Sequence, residues 1–107
     1  MAEEKTKGKI VLSGFKLDPA EKAIVDNLIN NYKHKIEEKF SYKEIDLRMR
    51  KSSHGKTFLH EVKGRLIADK MFSSEATDYN LFAAISEVLD KIINELEHNK
   101  RTARQDK

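Results

Sequence analysis

The apolar period of this chain changes from 3.6 to 2 after Phe40 and returns to 3.6 near Asn80, and this double switch restricts the fold more than any other feature. Upstream of it, Ile24, Val25, Leu28, Ile29, Tyr32, Ile36 and Phe40 recur at three- and four-residue spacing. That is the stripe of an amphipathic helix about 30 Å long or slightly more. Its start is written in Asp18-Pro19-Ala20-Glu21: an acceptor for free backbone N–H groups, a proline with the φ of a first helical position, and a glutamate that completes the capping box. From Ser41 to Lys51 the period is two. Ile45, Leu47 and Met49 alternate with Glu44, Asp46, Arg48 and Arg50, so one face of this strand is dry and the other carries mixed charge.

The remaining elements follow from the same logic. Lys9 to Phe15 (KIVLSGF) reads as a first strand with Ile10, Leu12 and Gly14 on one parity. Ser52-Ser53-His54-Gly55 has turn composition. A third strand places Phe58, Val62 and Leu66 on its apolar parity with His60 and Gly64, where Gly64 leaves room for a helix side chain. Ala68-Asp69-Lys70 is a short connection, which implies an antiparallel hairpin into a fourth strand with Phe72, Ser74 and Ala76 inward. Asp78 or Asn80 caps a final helix whose apolar face is broad: Leu81, Phe82, Ile85, Val88, Leu89, Ile92, Ile93 and Leu96. The order is β-α-β-β-β-α. Two helices on one face of a four-stranded sheet bury every apolar face in two layers, an α+β sandwich, and leave the other sheet face in water.

At 107 residues with 36% charged, the chain suits one domain, expected over 9–100. Residues 1–8 lack an apolar period and are expected to form a disordered arm. Beyond Leu96 the apolar period stops, and a loose basic tail is expected, with 101–107 outside the domain. Lys and Arg number 21 against 18 Asp and Glu, a net charge of +3 that allows polyanion binding without demanding it. Cysteine is absent, which removes disulfides and thiolate chemistry. With no apolar run of membrane-spanning length and no signal-peptide core, the expected location is the cytoplasm.

Chemistry-bearing patterns are sparse. His34, His54, His60 and His98 have no metal-ligand spacing, so neither a metal nor another cofactor is expected. Glu37/Glu38 and Glu3/Glu4 are adjacent, and helix neighbours diverge by about 100° rather than converging on one substrate. Ser52-Ser53 is no nucleophile elbow. No catalytic residues are assigned, and an enzyme is not expected.

At this point the residues resemble a known family, the short ribosome hibernation-promoting factors and ribosome-associated inhibitor A, also called protein Y. Leu81-Phe82-Ala83-Ala84-Ile85-Ser86-Glu87-Val88-Leu89-Asp90-Lys91-Ile92 is similar to the family's final-helix pattern of a hydrophobe, Tyr, two small residues, Ile and Asp, later Asp-Lys-Leu. Lys35-Ile36-Glu37-Glu38-Lys39-Phe40 is similar to the Lys-Leu-Glu-x-x-Phe that closes the family's first helix. The likeness extends from about Lys9 to Lys100. It implies a non-enzymatic factor that binds the small ribosomal subunit and its rRNA in the channel for mRNA and tRNA, and holds idle ribosomes inactive under stress or in stationary phase. The rRNA-contacting positions it implies are Lys35 and Lys91, with Lys39, Lys100 and Arg101 nearby in sequence. The chain departs from the pattern at Asn94 and His98, where the family has basic residues, and Glu87, Asp90, Glu95 and Glu97 make the last helix acidic. It also ends before the dimerisation domain of the long family members, which implies a short form.

The residues by themselves leave other readings open. Lys33, Lys35, Lys39 and Lys91 could be solvated helix flanks, each near an acid. Arg48, Arg50, Lys51 and Lys56 form a second basic cluster that reads either as an RNA contact or as charge protecting the sheet from edge-to-edge association. Phe58, Tyr42 and Tyr79 could stack on bases or fill the core, and no RNP-type aromatic motif is present. Two alternatives to the ribosome factor are a double-stranded-RNA-binding-like domain and a protein-interaction or dimerisation module. The apolar Leu81 to Ala84, where such an RNA domain carries lysines, argues against the first. A homodimer is open but not predicted.

Overall fold

The computed structural model describes residues 8–105, with side-chain surroundings through Asn99. The elements run β1 (Lys9–Ser13), α1 (Pro19–Lys39), β2 (Glu44–His54), β3 (Thr57–Ile67), β4 (Met71–Asp78) and α2 (Leu81–Gln105). They form the expected α+β sandwich. The sheet order is β1-β2-β3-β4, with β1 parallel to β2 across the α1 crossover and the other neighbours antiparallel.

One core lies between the layers. The inward strand residues Ile45, Leu47, Met49, Val62, Leu66 and Ala76 meet Val25, Ile29 and Ile36 of α1 and Leu81, Ala84, Ile85, Val88, Leu89, Ile92 and Leu96 of α2. Gly64 is what lets α2 sit so low on the sheet: a Cβ there would stand 2.6 Å from Val88 Cγ1 and 2.9 Å from Leu47 Cδ2. The α1 start is capped as its sequence dictates, with Glu21 N donating to Asp18 Oδ1 at 2.8 Å and Asp18 N donating to Glu21 Oε1 at 3.1 Å. Of the two candidates for the α2 cap, Asn80 takes the role, its Oδ1 accepting from Phe82 N and Ala83 N. Asp78 instead accepts from Asn80 N.

Several boundaries differ from expectation; β2 starts at Glu44 rather than Ser41, and others shift for local reasons. β1 stops at Ser13 because Gly14 turns to φ +76°, where an added Cβ would collide with the Met49 carbonyl oxygen. The β2–β3 turn is not Ser52 to Gly55; the ladder continues to His54↔Thr57, and only Gly55 and Lys56 turn. Gly55 at φ +64° followed by a residue of negative φ is the two-residue hairpin form that matches strand twist. Gly8, expected in the disordered arm, is buried under the Tyr42 ring, and the rest of that arm, 1–7, lies outside the described residues. The loose tail expected after Leu96 is corrected too: the α2 backbone stays helical to Gln105. Helix-forming Glu, Lys, Arg, Ala and Gln in this stretch carry the helix past the end of its apolar stripe.

Candidate nucleic-acid interface

α1 and α2 meet along a groove of ≈450 Å³ lined by Lys35, Glu38, Lys39 and Phe40 on one side and Asp90, Ile93, Asn94 and Glu97 on the other. Tyr32 locks the two helices together: its hydroxyl donates to Asp90 Oδ1 at 2.9 Å. Burial pushes the Tyr32 phenol pKa up, and the Asp90 hydrogen bond pushes it further. The same ring carries the Lys35 ammonium 5.0 Å from its centroid, a cation–π contact that fixes the charge at the groove mouth. Lys39 Nζ reaches Glu97 Oε2 at 3.4 Å across the groove.

Of the sequence-predicted residues, Lys35 and Lys39 are therefore brought together. Lys91 is not with them. It leans toward β4, where Nζ donates to the Glu75 backbone oxygen at 3.1 Å and pairs with Glu87 Oε2 at 3.1 Å. A surface using both Lys35 and Lys91 would have to wrap around α2. Lys100 and Arg101 belong to the last turns of α2, and their side chains lie outside the described residues.

The groove carries two cations, Lys35 and Lys39, beside three acids, Glu38, Asp90 and Glu97. Lys35, held over Tyr32, can meet a phosphate directly, whereas Lys39 must leave Glu97 to do so. Exposed pairs of this kind contribute about 0–1 kcal/mol, so such an exchange costs little. Helix spacing alone missed this arrangement, because the acid that pairs with Lys39 and the one that accepts from Tyr32 come from the other helix.

The second basic cluster divides by face. Arg48 and Arg50 lie on the outer sheet face with Lys63 and Arg65, where Asp46 holds Arg65 at 2.9 Å, Glu61 faces Arg50 at 3.9 Å, and Glu75 faces Lys63 at 4.0 Å. Lys51 projects on the inner face, over the Phe58 ring at 4.9 Å. The three aromatics separate as well: Tyr42 is a core residue, while Phe58 and Tyr79 are exposed. Burial, then the hydrogen bond from its hydroxyl to Glu37 Oε2 at 3.0 Å, raises the Tyr42 phenol pKa. Among the described residues no group of three His, Asp or Glu comes together as a metal site, and no described helix is long and apolar enough to cross a membrane.

No family model and no curated protein sequence matches the chain. Solved structures do match. A ribosomal subunit interface protein from Coxiella burnetii aligns with a TM-score of 0.61 at 11% identity, covering 86% of this chain and 97% of that one. The N-terminal domain of Protein Y from Thermus thermophilus aligns with a TM-score of 0.50 at 17% identity, covering 87% and 98%. At these identities the likeness is one of fold, and it spans nearly the whole of the compared chains.

Proposed function

We propose that this protein is a ribosome-associated factor of the hibernation type, which binds the small subunit in the mRNA and tRNA channel and inactivates idle ribosomes. One observation supports it above others: the fold of a ribosomal subunit interface protein is matched over almost its entire length. The residues that resemble the family's final helix, Leu81 to Ile92, supply that fold's buried seam through Leu81, Ala84, Ile85, Val88, Leu89 and Ile92. In this reading Lys35 and Lys39 bind rRNA phosphates at the groove mouth, with Lys100 and Arg101 further along α2. Lys91 contributes only from the opposite flank of that helix.

Co-sedimentation with ribosomes across a salt series tests the partner and the mechanism together. Binding at low salt should fall steeply as salt rises, each phosphate contact adding about 0.7–0.9 to the slope. Lys35→Glu combined with Lys39→Glu should loosen it. A protein that stays at the top of the gradient at low salt would overturn the reading.

A further inference from the structure

The β2–β3 hairpin outruns the rest of the sheet. β1 ends its pairing at Ser13↔Arg48 and β4 ends at His60↔Asp78, yet β2 and β3 go on pairing through Ser52↔Leu59, Ser53↔Phe58 and His54↔Thr57. At about 3.4 Å per residue these pairs and the turn project roughly 10 Å beyond the flanking strands. The tip is exposed from Arg50 through Phe58, and a Cβ built on Gly55 has no heavy atom within 4 Å.

Its composition is one-signed. From Arg50 to His60 the chain holds Arg50, Lys51, Lys56, His54 and His60 and no carboxylate. The Arg50 side chain is 81% exposed, and its partner Glu61 stands 3.9 Å away. Among the described residues neither Lys51 nor Lys56 has an ion-pair partner. Lys51 lies over Phe58, whose ring remains 50% exposed. Edge protection calls for charge at such a tip and works against an exposed aromatic ring. Cations flanking an available ring are instead the elements that hold an unpaired nucleic-acid strand, with phosphates on the cations and a base on the ring.

We propose that this hairpin is a second, separate binding arm for single-stranded nucleic acid, in which Lys51 and Lys56 neutralise phosphates, Phe58 stacks on an unpaired base, and the strand passes over the edge of β2 left open beyond Arg48 to reach Arg50 on the opposite sheet face. A stacked duplex offers no free base face to Phe58, so paired strands bind less well. The inference does not depend on the ribosome reading.

Fluorescence anisotropy with the full chain tests it, using labelled oligouridylate and oligothymidylate of about a dozen nucleotides, within the site sizes of small single-strand binders, and the same strands annealed to their complements. Either or both single strands should bind at low salt and more tightly than the duplexes. Arg50→Ala, Lys51→Ala and Lys56→Ala together should lower the salt slope by about 2, at about 0.7 per lost contact. Phe58→Ala should weaken binding about tenfold with the slope unchanged, and Phe58→Tyr should restore it. Circular-dichroism melts of each variant separate lost contacts from lost fold. No binding of either single strand, equal binding of duplex and single strand, or a wild-type slope in the folded triple variant would overturn the arm. Ribosome co-sedimentation of the same triple variant keeps the two proposals distinct, because sedimentation through the helices survives loss of the arm.

Discussion

Lys91 Nζ stands 3.1 Å from the Glu75 backbone oxygen, so a lysine of α2 occupies an acceptor on the edge strand β4. An edge strand's acceptors are where another sheet can pair, and a charge placed there discourages it. The ammonium also faces Glu87, with about half of each side chain in water. A lysine engaged this way is a sheet-edge residue first.

Lys91→Met should therefore lower stability in a urea melt by less than about 1 kcal/mol, the range for exposed pairs. Its ribosome-binding salt slope should stay nearer to wild type than that of Lys35→Glu. A Lys91 slope change as large as that of Lys35 would place the RNA surface on the β4 flank of α2 instead.

Gly64→Ala should destabilise by about 1–3 kcal/mol, the cost of overpacking a filled core. The added methyl would press on Val88 and Leu47, both fully buried, with Ile92 Cδ1 at 3.4 Å behind them. Gly55→Ala should cost less than Gly64→Ala, since its penalty is the positive φ alone and the space around it is open. Denaturant midpoints of the two variants check the order.

Tyr42 should make the fold sensitive to alkali. Its phenol pKa is raised above the ordinary value of 10.0 in the folded state, by burial first and by Glu37 second. A raised folded pKa means that its contribution is intact below pH 10, where both states are protonated. Above pH 10 the unfolded chain ionises first and binds fewer protons, so stability falls, by at most about 1.4 kcal/mol per pH unit from this group. Urea melts from pH 9 to 11 should show the decline, and Tyr42→Phe should flatten it. The residual decline belongs partly to Tyr32, whose pKa is also raised.

Apolar period was enough to read the element order, because a residue's place on a helix stripe or strand parity is a local matter. Val62, Gly64 and Leu66 fall on one parity and are buried together. Phe58 shares that parity but is exposed, since β3 runs past the helices that would cover it. Parity says which way a side chain points and nothing about what lies above it. The candidate interface was legible in part for a similar reason. Lys35 and Lys39 share a helix face by spacing, whereas their opposition to Asp90 and Glu97 depends on how α1 and α2 cross. The run from Glu97 onward misled because a polar stretch lacks an apolar stripe whether it is coil or an exposed helix end; helix propensity was the better guide there.

The single parallel pairing, β1 against β2 with all of α1 between them, also orders events in time. β2, β3 and β4 are joined by short turns, so they close small loops and pair quickly once they leave the ribosome. β1 is synthesised first, yet it must wait for the helix and the second strand before it has a partner, and α2, which seals β3 and β4, comes last. Until α2 emerges, the nascent chain displays the inward faces of β3 and β4, and the sheet's N-terminal edge is completed by the strand that has waited longest.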